Sequence, residues 1–149
     1  MGLLSALFRY TPSPGRTPLE DFLTECLCHL LRLLNDYGCS GEAASRLLEI
    51  GGLEGASLDW QTQYRIPPSA GSAVSGKRPD LVAEGTLGTK DVFLIVENKV
   101  SAGFTETLDA ETGELQSQLH IYGLFLKRQP HEIKALRLLT HDTPPPPHW

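Results

Sequence analysis

Val92-Phe-Leu-Ile-Val-Glu-Asn-Lys99 decides how this chain is read. An unbroken apolar run, rich in β-branched side chains, gives way at once to an acid, an amide and a base. Such a run is a strand buried on both faces, so it belongs in the middle of a sheet. Side chains two apart in a strand share a face, so Glu97 and Lys99 project together from its charged end. Charge at the end of a buried strand is costly unless it is paired. The plain alternative is an ordinary Glu/Lys surface pair at a strand end.

Working outward, residues 78–84 read as the preceding strand, with a turn over 85–88. That hairpin brings Asp80 beside Glu97. Further upstream, Trp60, Thr62, Tyr64 and Ile66 alternate with Gln61, Gln63 and Arg65, the pattern of a strand with one buried face. Residues 67–76, rich in Pro, Ser, Ala and Gly, make a flexible connection. Before the strands, Thr17 looks like an N-cap, with Pro18 at the first helical position and Glu20 three residues after the cap. The helix runs to about residue 37 and Gly38 closes it. Leu19, Phe22, Leu23, Cys26, Leu27, Leu30, Leu33 and Leu34 form its buried face, with Glu20 at the edge and Glu25 on the opposite, polar side. A shorter helix is expected over 41–50.

Downstream, a polar loop over 102–112 leads to a helix over 113–128, stopped by Gln129-Pro130, and a last strand over 135–140. The order is αα-βββ-α-β. The final crossover predicts a last strand parallel to the third. The fold class is α/β, a central mixed four-stranded sheet flanked by helices. Residues 17–141 form the domain. Residues 1–16 are a short helix, carrying Leu3, Leu4, Leu7 and Phe8, and a loop. Residues 142–149 are a Pro-rich tail or linker.

The 149 residues suit one domain, and 40% hydrophobic with 21% charged is an ordinary globular balance. A net charge of -5 leaves no broad basic surface, which counts weakly against a tight, purely electrostatic nucleic-acid binder and less against a nuclease, whose clustered acids are neutralised by bound metal. Cys26, Cys28 and Cys39 show no zinc spacing and suit a reducing cytoplasm. The apolar patch at the N-terminus is too short for a membrane span. There is no phosphate loop, no dinucleotide fingerprint and no Ser-centred elbow.

Two neighbouring carboxylates repel each other unless a cation lies between them. Mg²⁺ or Mn²⁺, hard cations that take oxygen ligands, would remove that penalty for Asp80 and Glu97. Lys99 is placed to steer or deprotonate a water, or to hold a phosphate oxygen. Gln118 lines up with Leu115, Tyr122 and Phe125 on the sheet-facing side of its helix and must find a polar partner. A capping box explains Glu20 equally well, and a satisfied core glutamine explains Gln118.

Taken in order, Pro18-Leu-Glu-Asp-Phe-Leu-Thr-Glu25, Arg78-Pro79-Asp80, Glu97-Asn98-Lys99 and Gln118-Leu-His-Ile-Tyr122 resemble the PD-(D/E)xK nuclease superfamily. The last piece looks like the Gln-x-x-x-Tyr motif of its RecB-like branch. The resemblance spans residues 17–141 and implies a restriction-endonuclease-like αβββαβ core. It implies Asp80, Glu97 and the backbone carbonyl of Asn98 as ligands of Mg²⁺ (or Mn²⁺), with Glu20 binding directly or through water. Lys99 would orient or activate the water, Gln118 would sit beside Lys99 and the scissile phosphate, and Tyr122 would support Gln118. Lys77 and Arg78 would contact substrate. The expected substrate is nucleic acid, DNA ahead of RNA, and a homodimer or a further regulatory domain or protein are the partners this reading admits. Residues 101–114 carry Glu106, Asp109, Glu111 and Glu114 and no base, which would repel a phosphate backbone unless the segment moves or meets a partner. The other class of function is a non-catalytic nucleic-acid-binding or protein-interaction module on the same fold. Retention of Asp80, Glu97 and Lys99 together argues against it.

Overall fold

The computed structural model describes residues 18–67, 76–99, 106–108 and 115–140. Helix α1 (Pro18–Asp36) and helix α2 (Ser40–Leu47) precede strands β1 (Ser57–Thr62), β2 (Leu81–Leu87) and β3 (Lys90–Lys99). A short hairpin, β4 (Glu106–Leu108) and β5 (Leu115–Ser117), leads into helix α3 (Gln118–Arg128) and strand β6 (Ile133–Thr140). The expectations for residues 1–16, the Thr17 cap, the 68–75 connection and the tail lie outside the described residues.

The main sheet has the order β1-β2-β3-β6. β1 and β2 are antiparallel, as are β2 and β3, while β3 and β6 run parallel. The sheet is therefore mixed, β3 is internal, and the last strand lies parallel to the third as its crossover predicts. Both faces of β3 are covered. Val92, Leu94 and Val96 join Cys28, Leu31, Ala44, Leu58 and Trp60 in a core beneath α1 and α2. Phe93 and Ile95 join Val82, Ile121, Tyr122 and Phe125 in a second core beneath α3. The apolar run of β3 thus supplies alternate residues to two layers, which is why it shows no alternation of its own.

Several boundaries differ from the sequence reading. β1 ends at Thr62 because Gln63 takes a left-handed backbone, φ 59°. Trp60 sits in the α1 core, whereas Tyr64 and Ile66 belong to the α3 core, so the alternation crosses from one layer to the other at Gln63. Gly85 is in β2, paired with Val92, and not in the turn. A side chain there would strike the Ser57 carbonyl of β1. The turn is at Gly88, φ 61°. α3 begins at Gln118, five residues later than expected, because Ser117 caps it by accepting from the His120 N–H at 3.2 Å. The stretch read as a polar loop and helix start contains the β4–β5 hairpin.

The buried side of α1 is displaced from part of its apolar stripe, although Leu27 still packs on the core. Asp21, Thr24, Cys28 and Leu31 point inward, whereas Phe22, Leu23, Leu30 and Leu33 are exposed. Glu25 is half-buried and accepts from the Thr62 hydroxyl at 2.8 Å, so it does not lie on a free polar side. Among the described residues no helix is long and apolar enough to cross a membrane.

Candidate active site

The β2–β3 ladder pairs Val82 with Ile95 and Leu81 with Val96. The next step at this open end sets Asp80, which immediately precedes β2, against Glu97. Asn98 N–H donates to Asp80 Oδ2 at 2.8 Å and fixes that carboxylate beside the end of β3. Glu97 continues the parity of Phe93 and Ile95, so it lies on the α3 side. It is only 1% exposed, and neither of its oxygens accepts a well-aligned hydrogen bond. Lys99, two residues on, places Nζ 3.0 Å from Glu97 Oε1.

Burial raises the Glu97 pKa, and the Asp80 charge adds to it. The facing Lys99 opposes the shift but leaves it at about 7. Asp80 is raised by burial too, against the Asn98 amide and Lys99, with Glu20 and Asp21 adding to the rise. Burial works to lower Lys99, but the carboxylates of Glu97, Asp80 and Glu20 outweigh it and hold the ammonium above its usual value. The site is a desolvated cluster of carboxylates around one lysine.

Gln118 is the first residue of α3, and its Nε2 donates to the Tyr122 hydroxyl at 2.7 Å, one turn on. Tyr122 is fully buried in the α3 core. Burial raises its phenol, and the nearby charges of Glu97 and Asp80 add to the effect, which places this Gln–Tyr pair within the field of the carboxylates. The bond confirms a polar partner for Gln118.

From the other side comes α1. Glu20 is half-buried, and its charge acts on both Asp80 and Lys99. It does not complete a cage: among the described residues no three His, Cys, Asp or Glu side chains converge to hold a metal. The pair that does meet, Asp80 and Glu97, fits a hard divalent cation. Both are oxygen donors, and the Glu97 carboxylate is buried, with Lys99 at 3.0 Å from Oε1 as its charged neighbour. Lys77 and Arg78 lie at the foot of the β1–β2 connection, where Lys77 O accepts from Ile66 N–H at 3.0 Å. Arg78 is exposed, and Pro79 joins it to Asp80.

Sequence reasoning missed three participants: buried Asp21, buried Thr24 and the side chain of Asn98, whose amide donates to Thr24 Oγ1 at 3.2 Å and to Glu20 O at 3.5 Å. Their signal was present. Asp21, Thr24, Cys28 and Leu31 recur at spacings of three and four, a second face carrying its polar members at one end. Of the cysteines, Cys28 is buried, and burial pushes its thiol up to about 11, so it is inert as a nucleophile.

No family model, curated protein or solved structure matches this chain.

Proposed function

We propose that this chain is a metal-dependent nuclease of the PD-(D/E)xK type, with a restriction-endonuclease-like core. It would hydrolyse phosphodiester bonds, in DNA ahead of RNA. The observation that carries the reading is Glu97, a buried carboxylate with no well-aligned hydrogen bond, set between Asp80 and Lys99 at the end of a central strand. Lys99 reaches one of its oxygens, and a cation shared with Asp80 would relieve the repulsion between the two carboxylates.

Asp80 and Glu97 would hold Mg²⁺ or Mn²⁺ with the Asn98 carbonyl. The bound ion supplies Lewis acidity toward the phosphate and makes water a better nucleophile. Lys99, held as a cation by its carboxylate neighbours, orients the attacking water and neutralises charge on the phosphate oxygens. Gln118, fixed by Tyr122, presents its remaining amide groups beside Lys99 toward the scissile phosphate. Lys77 and Arg78, next to Asp80 in the chain, contact the backbone of the nucleic acid on entry.

The test is incubation with plasmid, single-stranded DNA and RNA in Mg²⁺, Mn²⁺ or EDTA, beside Lys99→Ala. Metal-dependent cutting lost in the variant is the expected result and ranks the substrates. A folded protein that cuts nothing and binds no Mn²⁺ by calorimetry is instead a non-catalytic module. Mn²⁺ binding without cutting points to a missing domain or activator.

A further inference from the structure

We propose that the Asn98 side chain and Thr24 form a clasp that sets where Glu20 stands relative to the Asp80–Glu97 pair, and so tunes cation affinity from outside the site. This rests on the metal-site reading above. Alternation along β3 sends Glu97 and Lys99 to the α3 side and Asn98 to the opposite side, toward α1. Asn98 is therefore anchored in two directions. Its backbone N–H holds Asp80 Oδ2 at 2.8 Å, and its amide reaches Thr24 Oγ1 at 3.2 Å and Glu20 O at 3.5 Å. The Glu20 carbonyl and Thr24 are four residues apart, so both amide bonds grip a single turn of α1.

Three other side-chain bonds of α1 go to β1: Glu25 to Thr62, Arg32 to the Trp60 carbonyl and Asn35 to the Leu58 N–H. The clasp instead ties the first turn to β3, across 74 residues of sequence to Thr24. Thr24 is 7% exposed, so little water competes for its hydroxyl. An acceptor carbonyl opposite the amide requires the donor nitrogen there, so aspartate at 98 would repel where asparagine binds. Glu20 rides on this turn, and its charge bears on Asp80 and Lys99 together. Loosening the turn moves that charge without touching Asp80, Glu97 or Lys99. Asn98 and Thr24 are positioning residues acting through Glu20.

Mn²⁺ titration calorimetry on the full chain tests this, with Thr24→Val, Thr24→Ser, Asn98→Ala, Glu20→Gln and the Thr24→Val/Glu20→Gln double variant. Thr24→Val should weaken Mn²⁺ about tenfold, as loss of an outer-shell partner does. Thr24→Ser should restore the unmodified affinity. With Glu20 already replaced, Thr24→Val should cost less than about twofold, because the clasp then has nothing to position. Asn98→Ala, which keeps the backbone N–H and carbonyl, should match Thr24→Val and replaces it if that variant does not fold. Unchanged affinity in Thr24→Val, or an equal loss in both backgrounds, overturns the clasp. Mn²⁺ binding that Glu97→Gln abolishes upholds the metal site whatever the clasp does. No Mn²⁺ binding by the unmodified protein overturns both.

Discussion

The two ends of β3 are built on opposite terms. From Val92 to Val96 every side chain is buried among apolar neighbours, in one core or the other. From Glu97 to Lys99 the same strand, in the same sheet, carries a fully buried acid and a half-buried base leaning on it. The first end stabilises the protein through the area it removes from water. The second spends some of that stability, since an ionised Glu97 is held where water cannot solvate it. Stability and the proposed chemistry are thus separated along one strand within a few residues.

The largest expected effect breaks the comparison at the charged end. Lys99→Ala should cut the metal-dependent rate by about a thousandfold, as loss of a group acting on the proton or phosphate in the transition state does. Thermal unfolding of that variant should shift by far less. A rate within tenfold of the unmodified protein would remove Lys99 from the chemistry.

At the apolar end, Leu94→Ala should do the reverse. Leu94 is fully buried, so the lost side chain and its cavity should cost about 2–5 kcal/mol in denaturant unfolding. Mn²⁺ affinity of the folded fraction should be unchanged. A loss of affinity with little loss of stability would show that the two ends are not separable.

pH sharpens the contrast. In the fold Glu97 keeps its proton to about 7, whereas its ordinary value is 4.5. Between those values the native state binds the extra proton, so the metal-free protein should lose stability as pH rises from about 4.5 to 7 and level off above that. The drop from this group should be about 3 kcal/mol. The raised pKa of Asp80 acts in the same direction. Glu97→Gln should flatten the slope, as should saturating Mn²⁺, and denaturant melts at pH 5 and 8 read it directly. Stability rising with pH in the unmodified, metal-free protein would contradict a desolvated Glu97.

The smallest effect lies at the joint between hairpin and helix. Ser117→Ala removes the cap of α3 and should cost about 1 kcal/mol. Because Gln118 follows directly, the rate should fall severalfold as well, with Lys99→Ala still dominant.

The central strand was legible because burial on both faces forces a continuous apolar run, and because Glu97 and Lys99 share parity. The place of Asp80 beside Glu97 followed from strand order; helical spacing put Gln118 and Tyr122 on one face, and their pairing was implied by the resemblance. What the sequence hid has physical causes. Alternation from Trp60 to Ile66 cannot reveal that Gln63 turns left-handed and sends the chain from one core to the other. Gly85 looks like a turn residue, but its lack of a side chain serves a close approach to β1. Counting leucines on α1 placed its buried face only in part: Leu27 packs on the core, but Phe22, Leu23, Leu30 and Leu33 are exposed, since Asp21 and Thr24 occupy the buried side where that helix meets the charged end of β3. The amide of Asn98 was invisible for the same reason. Its role depends on which helix turn it faces.

The parallel pairing of β3 with β6 bears on synthesis as well as on the finished protein. A ribosome delivers β2 and β3 long before Ile133–Thr140. Until then the nascent sheet ends in β3, an apolar edge with its backbone groups open on one side, the kind of surface on which unfinished chains aggregate. Glu97 and Lys99 flank that apolar run with charge, the sequence device by which unavoidable hydrophobic strands are kept from pairing out of turn.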